Sequence, residues 1–385
     1  MIDLQIQRLS QWQVQQSISS LTFQAGTSRL FTGNQTGDIH CYDFKGGLEV
    51  ATLQWHESPV VAIKCCEDYL YSFDKLQNLA CWNINTFQIE RTHTLSMEKV
   101  PIYGQTTAQS LSNNRTSSVP WTVECAQFTP NGKYLIFGIY PPPRNLIEGV
   151  DRLYMVDTKT ASLVRWFSGS SSVNNVDCMN LDAIAISKDG AQLAASGIDS
   201  SFSPEAGWIY CRELIDQWCI EDGEYVCTYV YDSYINRPVN HTKIDLAFSP
   251  DNQKILFSQG DGIGGLSLWN VPPVQSRCIP VRAEHSETML LLDSPGIFDW
   301  SPTNDFVAFG APDGFLRFVD IENAAILSKP PFTQSVEQCI HVKNVAVFLE
   351  QQVSQFGIEQ LCFSQTGEYL ALSFQDLMLQ VWQIL

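Results

Sequence analysis

The chain has 385 residues, with 44% hydrophobic and 11% aromatic content, enough for a packed core, so disorder is not the default reading. Its net charge of −18, from 23 basic and 41 acidic residues, argues against non-specific attraction to nucleic acid or anionic lipid. The 12 cysteines form no CxxC pair, so single thiols such as Cys41, Cys211 and Cys362 read as small hydrophobes of a reducing compartment, and adjacent Cys65 and Cys66 do not suit ordinary disulfide geometry.

The first element, IDLQIQRL (2–9), alternates apolar and polar residues and predicts a strand that has no hairpin partner of its own. It lacks the charged-then-apolar plan of a signal peptide, and no apolar run in the chain approaches the length of a membrane span. A cytoplasmic protein without membrane contact is therefore expected. A block of strand, polar turn and strand then recurs along the chain. Its copies are TFQAGTSRLFTG (22–33), IKCCEDYLYSF (63–73) with a shortened turn, QFTPNGKYLIF (127–137), AISKDGAQLAAS (185–196), AFSPDNQKILFS (247–258), DWSPTNDFVAFG (299–310) and CFSQTGEYLALS (362–373). Pro, Asn, Asp and Gly supply the turn dihedrals, and the flanking aliphatic, aromatic and β-branched residues favour half-buried strands.

A third strand follows each block: DIHCYD (38–43), NLACWN (78–83), RLYMVD (152–157), WIYCREL (208–214), GLSLWN (265–270), FLRFVD (315–320) and MLQVWQ (378–383). A turn and a fourth strand come next in several units, as in FKGGLEVATL (44–53), INTFQIERTHTL (84–95) and TKTASLVRWF (158–167). The third strands end in Tyr42-Asp43, Trp82-Asn83, Val156-Asp157, Trp269-Asn270, Val319-Asp320 and Trp382-Gln383. With turns close to Ser-Pro-Asp-Gly, this pattern resembles the WD-repeat family over nearly the whole chain, although no copy has Trp-Asp itself.

The resemblance implies an all-β fold: a seven-bladed β-propeller with four antiparallel strands per blade. The expected blades are 10–54, 55–95, 121–168, 181–231, 243–283, 295–330 and 357–385, the last completed by strand 2–9. An open sheet edge would leave unpaired backbone groups, and pairing the two chain ends removes it. The family's buried set of His, Ser or Thr, Asp and Trp has counterparts in His56, Ser72, Asp74 and Trp82, and in part in Ser373, Asp376 and Trp382. His56 and His285 accordingly read as structural turn residues.

Departures from the repeat carry the functional reading. In the family, second-to-third-strand connections and blade-to-blade connections open on one face. Insertions at 96–120, 139–150, 197–207, 229–241 and 332–356 fall in these connections, while the other turns stay short except QWCIEDGE (217–224). Segment 338–349, QCIHVKNVAVFL, reads equally as an extra strand or as the outer strand of blade six. Long loops on a rigid scaffold commonly bind, and aromatic and Arg residues dominate binding hot spots. The expected partner-binding residues are Tyr103, Tyr140, Arg144, Trp208, Tyr231, Tyr234 and Arg237. HExxH, P-loop, GxSxG and calcium-loop patterns are absent, and GDGIGG (260–265) joins two strands instead of opening a helix. The expected function is a non-catalytic scaffold or complex subunit that binds one or more proteins, without cofactor, metal or direct nucleic-acid contact. The alternatives are a lactonase-like hydrolase with a metal in the central channel, and an accessory subunit of a nucleic-acid-processing complex.

Overall fold

The computed structural model describes residues 4–95, 122–140, 153–167, 180–203, 208–235, 245–258, 265–272, 288–291, 297–303, 306–327 and 341–385. They form strands and turns with no helix. After β1 (Ile6–Gln13), four-stranded units follow, each running from its inner to its outer strand. Blade one is β2 (Ile18–Phe23), β3 (Arg29–Asn34), β4 (Ile39–Asp43) and β5 (Leu48–Leu53). Blade two is β6 (Val60–Cys66), β7 (Tyr69–Asp74), β8 (Asn78–Asn83) and β9 (Gln88–Thr94). Blade three is β10 (Thr122–Phe128), β11 (Tyr134–Tyr140), β12 (Leu153–Asp157) and β13 (Leu163–Phe167). Blade four is β14 (Asn180–Ile186), β15 (Gln192–Ser203), β16 (Trp208–Cys219) and β17 (Tyr225–Ile235). Blade five is β18 (Leu246–Phe248), β19 (Lys254–Ser258), β20 (Gly265–Asn270) and β21 (Thr288–Leu291). Blade six is β22 (Ile297–Trp300), β23 (Val307–Gly310), β24 (Phe315–Leu327) and β25 (His341–Gln352). Blade seven is β26 (Ile358–Phe363), β27 (Tyr369–Phe374) and β28 (Met378–Ile384), with β1 as its outer strand. Each inner strand touches the next, and β26 touches β2, so the seven blades close into a ring.

One packing layer repeats in all seven blades. Leu30, Leu70, Leu135, Leu193, Ile255, Val307 and Leu370 occupy equivalent second-strand positions, and each is 0% exposed. Their third-strand register partners are Tyr42, Trp82, Val156, Trp218, Trp269, Val319 and Trp382. This corrects the reading of blade four. WIYCREL lies in β16, but the residue at the repeat position is Trp218, at the strand's other end. Packing between blades is close enough to demand glycine in places. A Cβ on Gly33 would stand 2.7 Å from Cβ of Val60, on the inner strand of the next blade.

The ring closes as expected, but with a shifted boundary. The closing strand is Ile6–Gln13, not 2–9; it pairs with β28 from Ile6↔Ile384 to Gln13↔Met378, with a bulge between Arg8 and Ser10. The shift is explained by what Trp12 does. Its ring lies 4.8 Å from that of Tyr42, its Nε1 donates to the Gly47 carbonyl at 3.2 Å, and it packs with Val14 against a buried cluster containing Tyr42, Leu379 and Val381. The strand therefore ties blade seven to blade one as well as completing it.

Three expected insertions contain long stretches of strand. Residues 197–203 continue β15, and 229–235 belong to β17. Segment 341–352 is β25, which pairs antiparallel with β24 and is thus the outer strand of blade six. It also pairs in parallel with β21, so blades five and six share one eight-stranded sheet. The connection to blade seven is consequently short, and the long connection of blade six, 328–340, joins its third and fourth strands, on the face where short turns were expected. QWCIEDGE contributes less loop than expected, since 217–219 belong to β16.

Candidate functional site

Blade two builds the complete buried hydrogen-bond set anticipated from the sequence. His56 Nδ1 lies 3.0 Å from Asp74 Oδ2, His56 Nε2 lies 2.7 Å from Ser72 Oγ, and Trp82 Nε1 donates to Ser72 Oγ at 2.9 Å. Asp74 also accepts from the backbone N–H of Leu76 and Asn78 and from the Asn78 side chain. Burial alone would raise the Asp74 carboxyl, but the hydrogen bonds from His56 and Asn78 outweigh it and hold it below its ordinary value. The Ser-His-Asp order superficially matches a nucleophile, base and orienting acid. Yet Ser72 and Asp74 are 0% exposed, so no substrate reaches the hydroxyl; the set locks the blade.

The other expected set is incomplete. In blade seven Trp382 Nε1 turns to Gln380 Oε1, and Ser373 Oγ is buried without a hydrogen-bond partner among the described residues. Asp376 caps the local turn through the Met378 N–H. The reason is spacing: the residue two beyond Ser373, where Asp74 stands relative to Ser72, is Gln375. His285 lies outside the described residues.

Among the described residues, blade four contributes the largest departure from the repeat on the face of the second-to-third-strand connections. Strands β2–β9 span five to seven residues each, whereas β15 and β16 span 12 and β17 spans 11. Among the described residues, pairing between β14 and β15 ends at Asn180↔Ile198, but β15 and β16 stay paired to Ser203↔Trp208. With β17 paired to Ile209↔Ile235, a three-stranded sheet continues beyond the inner strand. The further five residues of β15 extend roughly 17 Å at the usual strand rise. Antiparallel order places this extension on the side of the second-to-third and blade-to-blade connections.

The extension carries two of the expected partner-binding residues, Trp208 and Tyr234, and Tyr231 stands at its base, on the rung of Ile198. Trp208 pairs with Ser203, Tyr231 with Glu213, and Tyr234 with Tyr210. By strand alternation Trp208, Tyr210 and Tyr234 share one face of the sheet, and Tyr231 belongs to the other. Tyr210 was not singled out from the sequence, although the alternation of WIYCREL carried the signal. Tyr140 ends β11 on blade three, opposite Thr122. Tyr103, Arg144 and Arg237 lie outside the described residues.

Around the ring axis, side chains of inner strands bond the backbone of the next blade. Ser19 and Ser20 Oγ donate to the Val60 carbonyl, and Gln127 Oε1 accepts from the Ile186 N–H. Asp245 Oδ2 accepts from Phe298 N–H at 3.0 Å, and Asp299 Oδ2 from Phe363 N–H at 2.9 Å. Lys64 is the one cation of the described inner strands. Burial pushes the Cys41 and Cys362 thiols up to about 12 and raises Cys65 as well, which keeps them neutral and unreactive. Among the described residues no group of three or more His, Cys, Asp or Glu is placed to hold a metal ion. No protein-family model matches the chain, and no curated protein matches it.

Proposed function

We propose that this propeller is a non-catalytic, WD-repeat-type platform that binds one or more proteins through the face carrying the blade-four extension. The carrying observation is that β15, β16 and β17 run well beyond the length the ring needs. Those added residues place Trp208, Tyr210 and Tyr234 on one small sheet, with Tyr231 at its base. Large, rigid aromatics lose little conformational freedom on binding and are enriched in interface hot spots. The hydrogen-bond set of blade two supports the repeat-type assignment, because it joins the four residue types of that family in one buried network. A net charge of −18 favours partners with basic surfaces and disfavours direct contact with nucleic acid or anionic lipid.

The test is affinity capture with the wild type beside a variant carrying Tyr140→Ala, Trp208→Ala and Tyr234→Ala. These positions lie outside the seven-fold core layer, so the variant should keep its melting temperature and lose its specific partners. Retention of the same partners by the folded variant would rule out this face.

A further inference from the structure

We infer that Asp245 and Asp299 form a pH-responsive latch across the junctions of blades five, six and seven, one that tightens as the pH falls. Asp245 precedes β18 and accepts from Phe298 N–H on β22, while Asp299 on β22 accepts from Phe363 N–H on β26. Three consecutive inner strands are thus joined by two carboxylates. Those carboxylates repel one another, and Lys64, from blade two, attracts Asp299. Burial, and then Asp299 itself, raise the Cys362 thiol on β26, so it stays neutral beside the carboxylate. Of the other inner-strand carboxylates whose side chains are described, Glu359 accepts from Ser17 Oγ at 2.8 Å and Glu124 is exposed.

Burial, and then repulsion by Asp245, outweigh the Phe363 and Trp300 N–H groups and Lys64 and push the Asp299 carboxyl up to about 7. An unfolded Asp titrates near 4. Between about pH 4 and pH 7 the folded chain therefore holds a proton that the unfolded chain has released. Stability from this site is greatest at the acidic end of that window, falls as pH rises through it, and is fully lost above about 7. A neutral carboxyl still offers its carbonyl oxygen to the Phe363 N–H, so the bond survives protonation while the repulsion does not.

Melting temperature against pH tests this with Asp299→Asn, which keeps an acceptor oxygen and removes the charge. The variant should match the wild type near pH 4 and exceed it by about 5 °C at pH 8, with the gap opening across the window. Asp245→Asn provides an independent variant: the loss of wild-type stability on raising the pH should shrink. Amide exchange at Phe363, corrected for its intrinsic pH dependence, should slow as the pH falls from 8 to 6. Parallel melting profiles for the wild type and either folded variant would overturn the latch, as would a wild type more stable than Asp299→Asn at pH 8.

Discussion

Deletion of residues 1–13 should cost the protein most of its cooperative stability. The deletion removes every rung of the ladder between β1 and β28, from Ile6↔Ile384 to Gln13↔Met378. At about 1 kcal/mol net per lost hydrogen bond, the ladder alone contributes several kcal/mol. Leu4 and Ile6 also leave the cluster around Phe363, Leu372 and Trp382, and Trp12 leaves Tyr42. The total is comparable with the ~5–15 kcal/mol that stabilises a typical domain. Thermal unfolding should show a melting temperature lowered by more than 10 °C, or no cooperative transition at all. A truncated chain that melts like the full one would mean that β1 does not close the ring.

The second large effect is expected at blade two, with blade seven as the internal control. Asp74→Ala leaves the buried His56 Nδ1 and the Asn78 N–H without their acceptor, and leaves the Leu76 N–H only Ser58 Oγ at 3.3 Å. Breaking such a buried charged network should destabilise by about 3–5 kcal/mol. Ser373→Ala, at the matching hydroxyl of blade seven, removes a buried group that has no hydrogen-bond partner and should be neutral or slightly stabilising. Urea unfolding of both variants measures the contrast. The sign of the pH dependence at Asp74 is opposite to that at Asp299. Its carboxyl sits below the ordinary value, so its stabilisation is present above about pH 4 and fades as the pH falls further. Equal losses in the two variants would show that the His56–Asp74–Ser72–Trp82 set is not what holds blade two.

The repeat was legible because each blade restates the same local physics. A polar turn lies between two strands that supply one fully buried residue, Leu30 or its counterpart, and the third strand supplies the aromatic or aliphatic residue across from it. Blade four escaped that logic. GIDSSFSPEAG is rich in Gly, Ser, Asp and Pro, which are poor strand formers, and so it reads as a loop. Pairing with β16 on one side and the strength of β16–β17 on the other override that preference through Ser203. The same extension hid Trp218, because the first plausible third strand in the sequence, WIYCREL, is the part that projects beyond the ring. Segment 338–349 shows a different limit: alternation reveals a strand but not its neighbour, and the pairing of β25 with both β24 and β21 rests on distant parts of the chain. Residue type pointed to Trp208, Tyr231 and Tyr234, while their gathering on one sheet, and the addition of Tyr210, depended on register.

Site-specific photo-crosslinking tests the central claim most directly. A photoreactive amino acid replaces Tyr210 on the blade-four extension in one variant. In another it replaces Leu48, which is 66% exposed on the outer strand of blade one. Irradiation under native conditions should yield a discrete protein adduct from position 210 and none from position 48. An adduct from position 48 alone would contradict a platform that works through blade four.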